Sequence, residues 1–282
     1  MNRYLNQVHT GKNDRWRWLG FLVVSIILWI VLLLGLYMLY QFIKDIVDYF
    51  SPTIVNGAIR KGTQTYFDIF SVFINLGLYV PVFIVCFPLF FERPFKTAVT
   101  SHQYFNRSKV LRAFFIWLFL LLLPIVLSYA VDSKGSGLSI QFDSVKLLLS
   151  VIGALCFVPF QCFAEELFFR AYLMQGFYLF FKKQIFIVFV SSLLFLLAHV
   201  PNLKYSASGI QISGLLQYEI LGLLFGLLVL LDEGLEGALG VHIANNVLGM
   251  ILIEPAAGVE YYGQLFRNIG PNTGDGMFSI LL

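Results

Sequence analysis

The sequence predicts an all-α membrane protein, a polytopic bundle of seven or eight transmembrane helices. Of its 282 residues, 59% are hydrophobic and only 12% are charged, whereas a globular domain is about 25% charged. The mean hydropathy is +0.80. Uncharged runs of 26, 23 and 19 residues occupy Trp18–Ile43, Ile69–Phe91 and Ala113–Val131. Because about 20 apolar residues cross a bilayer as a helix, each run predicts a span.

Further apolar stretches downstream predict the remaining helices. The fourth stretch, 147–181, measures about 50 Å at a rise of 1.5 Å per residue, which is too long for one crossing. Pro159 lies within it and removes one helical hydrogen bond. The stretch therefore either kinks there or divides into two segments, which would make eight spans. The seven-span interpretation places helices at 18–43, 67–91, 111–131, 147–181, 185–199, 213–231 and 237–254.

The chain divides into three regions. Residues 1–146 form N-terminal transmembrane helices, 147–254 form a core that carries intramembrane charges, and the Gly-rich tail 255–282 is expected to be irregular. In the seven-span interpretation, eleven lysines and arginines lie on the side of the N-terminus and seven on the other. The positive-inside rule then places the N-terminus in the cytoplasm, and the expected location is a bacterial plasma membrane.

Composition also limits the partners. The net charge of +3 comes from cations in loops between spans, so no nucleic acid is expected to bind. The expected partners are the lipid bilayer and a membrane-embedded or lipidated peptide or protein substrate. Cys86, Cys156 and Cys162 all lie in apolar runs, which favours packing over a disulfide or a cysteine-rich metal site.

Three charges interrupt the most apolar part of the chain, in the stretch "AEELFFR". Glu165, Glu166 and Arg170 lie between uncharged runs at 147–164 and 171–181. A charge at bilayer depth costs at least about 2.5–3.5 kcal/mol. On a helix, Glu166 and Arg170 are four residues apart and can pair, whereas Glu165 is turned about 100° away. This asymmetry indicates one working carboxylate beside a structural ion pair, although all three charges could form a structural cluster between helices.

Two histidines favour the functional interpretation. His9 and His102 lie in loops, but His199 ends one apolar run and His242 begins another. A lone histidine in a span is usually a packing residue, whereas two of them with an intramembrane glutamate form a candidate site. Asn246 follows His242 by four residues and shares its helix face. The candidate constellation is Glu165, His199, His242 and Asn246, contributed by three helices.

The chemistry of this set is limited. No serine or cysteine has an obvious neighbouring base, so water activation remains. A carboxylate and an imidazole can hold and deprotonate a water molecule. A second imidazole and a carboxamide can donate hydrogen bonds to a developing oxyanion. No cofactor is needed for this reaction, but Glu165, His199 and His242 could instead hold a zinc ion with one open position.

Three motifs together resemble a known family. "EELFFR" fits EExxxR, "FLLAH" (195–199) fits FxxxH, and "HIANN" (242–246) fits HxxxN. In this order and on membrane helices, they resemble the CPBP family of intramembrane proteases, also called Abi or type II CAAX prenyl endopeptidases. The resemblance covers about residues 147–254. The residues before it match only generic membrane spans.

The resemblance implies an α-helical intramembrane endopeptidase. By motif position, Glu165 and His199 would activate water, and His242 and Asn246 would form the oxyanion hole. Glu166 and Arg170 would support the site. The family was long described as metalloproteases, yet its chemistry resembles glutamate-based water activation without metal.

The family has more than one kind of member. Some cleave prenylated CaaX tails, and bacterial members are linked to bacteriocin immunity and peptide maturation. One competing hypothesis is therefore a catalytically silent protein that sequesters a bacteriocin or binds a membrane partner. A second is a transporter that uses Glu165 and His199 as a proton relay. Inverted repeats and paired broken helices would favour the transporter, but the sequence contains neither.

Two geometric expectations follow from the helix boundaries. Asp232, Glu233 and Glu236 form an acidic turn that is expected to face solvent. His242 then lies about 9 Å beyond this turn, whereas Glu165 lies about 24 Å from the basic end of its own helix. The two must meet for catalysis, which requires tilted helices, a break near Pro159 or an acidic turn that dips into a cavity. Gly222 and Gly226 form a GxxxG pattern that predicts close helix packing.

Overall fold

Long helices dominate the fold. The computed structural model describes residues 2–50, 73–131, 138–140, 144–202, 205–206, 209–210, 212–254 and 266–268. The α-helices are α1 (Arg3–Asn6), α2 (Arg15–Phe50), α3 (Tyr79–Phe91), α4 (Lys96–Val99), α5 (Arg107–Val131), α6 (Ser144–Glu166), α7 (Gln175–Phe180), α8 (Gln184–His199), α9 (Ile212–Asp232) and α10 (Glu236–Leu252). Two 3-10 segments add Gln7–Thr10 and Val200–Asn202.

Five helical stretches among the described residues are long and apolar enough to cross a membrane. They are Arg15–Phe42, Phe73–Phe91, Arg107–Val131, Leu147–Phe180 and Gly214–Asp232. Each of the seven predicted spans overlaps a helix, but α8 and α10 have only 16 and 17 residues. The polytopic helical bundle is confirmed, and the number of crossings stays a prediction. Residues 67–72 of the predicted second span lie outside the described residues.

Short strands connect some of the helices without changing the all-α class. β1 (Leu138–Ile140) pairs antiparallel with β5 (Phe266–Asn268), and β5 pairs in parallel with β4 (Ile253–Glu254). β2 (Tyr205–Ser206) and β3 (Gly209–Ile210) form a two-stranded antiparallel pair. The tail that was expected to be irregular therefore has one short strand in its described part.

The fourth predicted span is a single helical stretch of 34 residues, Leu147–Phe180. Helix α6 continues through Pro159, so the helix is not divided at this proline. The winding changes later, because Leu167–Met174 form a π-helix between α6 and α7. Ser191 on α8 donates a hydrogen bond of 2.9 Å to the carbonyl of Phe169 in this segment. Such π segments are frequent at functional sites.

Helix α10 is the centre of the bundle and packs against α5, α6 and α9, while α8 packs along α9. The second contact is close because of two glycines. A Cβ atom on Gly222 would lie 2.9 Å from Cβ of Ser192, and one on Gly226 would lie 2.8 Å from Cγ1 of Val188. The close packing predicted from the GxxxG pattern is confirmed.

One end of the bundle is covered by a layer that we call the cap, formed by residues 2–12, 92–106 and 232–236. Tyr4, Leu5 and Val8 are fully buried in it, and the Tyr4 hydroxyl donates a 2.7 Å hydrogen bond to the carbonyl of Ala98. Burial raises the pKa of Tyr4. The N-terminal segment and the 92–106 loop therefore lie at the same end as the acidic turn, as the seven-span interpretation predicts.

The acidic turn lies beneath other parts of the cap. Glu236 is fully buried and accepts a 3.2 Å hydrogen bond from the backbone of Asn106. Asp232 pairs with Lys109 at 2.9 Å, and Glu233 pairs with Arg3. The expected solvent exposure is wrong for Glu236, because segments distant in sequence cover it. Helix α7 also packs against the N-terminal segment of the cap, and Glu165 and His242 do meet in the bundle.

Candidate active site

The predicted ion pair between Glu166 and Arg170 is present at the end of α6. The Nη1 atom of Arg170 lies 3.3 Å from Oε1 of Glu166, and neither side chain is exposed. Arg170 also donates a 3.1 Å hydrogen bond to the carbonyl of Gly222. Its guanidinium lies 4.8 Å from the ring centre of Phe195 and 5.2 Å from that of Phe225. The cation is thus held by a carboxylate, a carbonyl and two aromatic faces.

Glu165 faces the two membrane histidines instead of the arginine, as its turn on the helix predicts. Its Oε2 atom lies 3.5 Å from Nε2 of His242 and 3.7 Å from Nε2 of His199. Both distances exceed that of a good direct hydrogen bond. The same oxygen is buried and has no hydrogen-bond partner within the described residues. Three helices, α6, α8 and α10, therefore bring one carboxylate and two imidazoles to one point.

The ring of His199 is oriented by its own helix. Its Nδ1 atom lies 2.7 Å from the carbonyl of Phe195, one turn earlier. Since a carbonyl only accepts hydrogen bonds, Nδ1 carries a hydrogen, and Nε2 is the nitrogen that faces Glu165. The ring stacks on Tyr218 with centroids 4.6 Å apart. A backbone contact and an aromatic neighbour thus fix the nitrogen that reaches the site.

The ring of His242 is oriented by Glu166. Its Nδ1 atom lies 2.8 Å from Oε1 of Glu166, and its ring stacks on Phe225 at 4.6 Å. Glu166 therefore has two partners, Arg170 and His242, although the spacing of the sequence indicates only the first. With Nδ1 held by this carboxylate, Nε2 of His242 faces Glu165.

Asn246 reaches the cluster through a residue that the sequence analysis missed. Its Nδ2 atom donates a 3.2 Å hydrogen bond to Oε1 of Gln161, and Nε2 of Gln161 donates to Oε1 of Glu165. Gln161 precedes Glu165 by four residues on the same face of α6. That spacing, in an otherwise apolar stretch, is the signal that could have found it. His242 and Asn246 both contact α6, so their predicted common face is confirmed.

The site contains two carboxylates, Glu165 and Glu166, and one permanent cation, Arg170. Among the residues that the structure describes, no group of three or more His, Cys, Asp or Glu side chains is arranged to hold a metal ion. The convergence of Glu165, His199 and His242 does not form such a group. What the arrangement offers chemically is a cluster of proton acceptors inside an apolar bundle, with a guanidinium and an amide close behind it.

Comparison with known proteins identifies the same region. A family model described as type II CAAX prenyl endopeptidase Rce1-like matches residues 147–248. The resemblance that the three motifs indicate is confirmed, and the match includes every candidate residue from Gln161 to Asn246. With the five apolar helical stretches, it makes this chain an integral membrane protein that resembles a protease family.

One curated relative matches with low sequence identity. The chain is 25% identical over 156 residues to the uncharacterized protein YyaK of Bacillus subtilis (strain 168), covering 55% of this chain and 51% of the relative. The chain therefore spans about half the length of that relative. No solved structure matches this chain.

Proposed function

We propose that this protein is an intramembrane endopeptidase that hydrolyses peptide bonds of membrane-embedded or lipidated peptides or proteins. The observation that supports it most is the unpartnered Oε2 of Glu165, which lies 3.5 and 3.7 Å from two imidazole nitrogens. A buried polar atom without a partner requires an explanation. A water molecule held between the carboxylate and the histidines supplies one and is also the nucleophile for hydrolysis.

In the proposed reaction, Glu165 and His199 activate that water. The water oxygen forms a bond to the carbonyl carbon of the substrate while its proton passes to Glu165. When the C–N bond breaks, the leaving amine takes up a proton from the site. The apolar surroundings strengthen each electrostatic contact in this step. His199 can accept a hydrogen bond from the water because its Nδ1 atom is committed to the Phe195 carbonyl.

In the same proposal, His242 and Asn246 stabilise the oxyanion that develops on the substrate carbonyl. Glu166 accepts a hydrogen bond from Nδ1 of His242 at 2.8 Å and so fixes the ring with Nε2 facing the site. Arg170 balances the charge of Glu166 from the other side. Glu166 and Arg170 thus support the oxyanion hole and do not contact the substrate. No metal ion has a role in these steps.

The proposal places the N-terminus and the 92–112 loop on the cytoplasmic side of a bacterial plasma membrane. Its support is the lysine and arginine bias, together with the common location of both segments in the cap. Cysteines introduced at Lys12 and Arg107 are expected to resist a membrane-impermeant thiol reagent added to intact cells and to react after lysis. Labelling of either position in intact cells would reverse the orientation.

The activity is tested by comparing wild type with Glu165→Gln in membranes. New N-termini in membrane peptides would be mapped by mass spectrometry, and a farnesylated CaaX peptide and its unprenylated form would be assayed in vesicles. Glu165→Gln is expected to insert normally and to cleave nothing. Glu219→Gln is the matched control, because Glu219 is a glutamate of helix α9 that bonds to Ser192 outside the cluster.

The comparison has two adverse outcomes. Identical cleavage patterns in wild type and Glu165→Gln would contradict the protease assignment. If Glu165→Gln also retained a cellular phenotype of the wild type, such as bacteriocin immunity, the silent binding protein would be the better hypothesis.

A further inference from the structure

Gln161 is hydrogen-bonded to two residues of the proposed mechanism, Glu165 and Asn246. It is buried, with 5% of its surface exposed. Its Nε2 atom donates to Oε1 of Glu165, and its Oε1 atom accepts from Asn246 at 3.2 Å and from the thiol of Cys162 at 3.5 Å. Both ends of the amide are therefore used, one on the carboxylate and one on the carboxamide.

The contact with Glu165 distinguishes the two oxygens of its carboxylate. Oε1 is occupied by the Gln161 amide, whereas Oε2 faces both histidine Nε2 atoms and has no hydrogen-bond partner in the described part of the chain. Without this donor, the carboxylate could rotate and satisfy either oxygen elsewhere. Buried polar groups take whatever partners are within reach. Gln161 therefore keeps one oxygen bound and leaves the other for the water.

The contact with Asn246 fixes the direction of a second amide. A carboxamide has two N–H donors on one side and an acceptor on the other. Because Gln161 offers its oxygen to Nδ2 of Asn246, that nitrogen points to α6 and keeps a second N–H for another acceptor. Asn245 donates to Oδ1 of Asn246 at 3.5 Å and supports the same orientation. A flipped amide would present an oxygen to a developing oxyanion and repel it.

We infer that Gln161 is a positioning residue of the active site, which aims Oε2 of Glu165 at the water and an N–H of Asn246 at the oxyanion. This inference rests on the proposed function. It assigns to Gln161 no contact with the substrate. It predicts that Gln161 affects the rate of the chemical step more than substrate binding, because both groups that it orients act in the transition state.

The first test needs no substrate. Infrared difference spectra of the protein in lipid vesicles would locate the carboxylate stretching band of Glu165 as the band lost in Glu165→Gln. Gln161→Met, which keeps the volume but removes the amide, is expected to shift this band because the carboxylate loses its donor. An unshifted band would overturn the inference. Gln175→Met is the matched control, since Gln175 is a buried amide of helix α7 that holds Arg93 and the Thr97 carbonyl instead.

The second test is kinetic, with the vesicle-bound farnesylated or unprenylated CaaX peptide that the wild type cleaves. Gln161→Met is expected to lower kcat about 10²-fold, as the loss of one oxyanion donor does, and to change KM by less than about twofold. Gln161→Asn, whose amide is too short to reach both partners, should lose activity in the same direction and covers a folding failure of the methionine variant. Gln175→Met should keep its kcat.

A double-mutant cycle separates this inference from a general structural role. If Gln161 acts through Asn246, Gln161→Met in an Asn246→Ala background should lower kcat by much less than it does in the wild type. A full multiplicative loss, or a wild-type kcat in Gln161→Met, would overturn the inference alone. Absence of cleavage by the wild type in every assay would instead defeat the proposed function, while the infrared band would still report the contact with Glu165.

Discussion

Charged residues have different surroundings in the cap and in the cluster of the candidate active site. Cap ion pairs are mostly open to solvent, with Arg3 71% and Lys12 55% exposed at the side chain, and Glu92 has two cationic partners. In the cluster, Glu166 and Arg170 have no exposed surface at all. Water replaces a lost partner in the first region and cannot in the second. The loss of one partner should therefore change stability little in the cap and greatly in the cluster.

The largest expected effect is that of His199→Ala. Removing this imidazole takes away a partner of the activated water, so cleavage of a vesicle-bound peptide should fall to the background rate. Insertion should be normal, because His199 is not fully buried. His102→Ala is the control, since the ring of His102 binds the carbonyl of Asp232 in the cap, and it should retain activity. One-tenth of the wild-type rate in His199→Ala would show that Glu165 activates water without it.

The next largest effect concerns the buried ion pair. Arg170→Ala should lower the free energy of unfolding by about 3–5 kcal/mol, because Glu166 is left as a stranded buried charge, and activity should fall with it. Arg3→Ala, which breaks an exposed cap pair with Glu233, should cost roughly 0–1 kcal/mol. Thermal unfolding in lipid bicelles measures both. A fully stable but inactive Arg170→Ala would place the arginine in contact with substrate.

A smaller effect is expected at Glu92 in the cap. A hydrogen bond from Lys12, with the charges of Lys12 and Arg17, lowers the pKa of Glu92. A carboxyl group whose pKa is lowered by folding stabilises the protein above its unfolded pKa, about 4.3, and loses this contribution as pH falls through the folded value. Glu92→Gln should therefore melt slightly earlier than wild type at pH 7. The difference should vanish on acidification, and a difference independent of pH would contradict the pairing.

No loss of activity is expected when metal is removed. Because the proposed steps use only side chains of the chain itself, cleavage should survive extensive dialysis against a chelator. A zinc-dependent peptidase treated in parallel shows whether the stripping was complete. One zinc ion per chain by elemental analysis, with activity restored only by metal, would make the protein a metalloprotease with Glu165, His199 and His242 as ligands.

Much of the cluster could be predicted because ionisable side chains are rare within membrane-spanning segments and are energetically unfavourable there. Glu166 and Arg170 follow from a four-residue spacing, and Glu165, His199 and His242 are among the few ionisable groups within apolar runs. Gln161 was missed because a neutral amide is not a charge within an apolar run, which was the signal that identified the other residues. The second role of Glu166, as a partner of His242, depends on the packing of α6 against α10, which no local pattern encodes.

The parts of the fold that could not be predicted depend on contacts distant in sequence. Glu236 was expected in solvent, yet the segments that bury it come from residues 2–12 and 92–106. The sequence predicts a kink or a division of this stretch at Pro159. The irregular segment is instead the π-helix at Leu167–Met174, where Ser191 from another helix donates a hydrogen bond to a backbone carbonyl. A proline predicts where a helix can be irregular, but packing against neighbouring helices determines where the irregular segment forms.

The π-helix has a consequence for how this region can change during evolution. It lies between Glu165 and Glu166, which belong to the candidate active site, and Gln175, which is bound to Arg93 and Thr97 in the cap. Each residue of a regular helix turns the chain by about 100°, so deleting one residue here would rotate the cap anchor away from its partners. Insertions and deletions are tolerated in surface loops, whereas the length of Leu167–Met174 sets the rotation of Gln175 about the helix axis relative to Glu165 and Glu166.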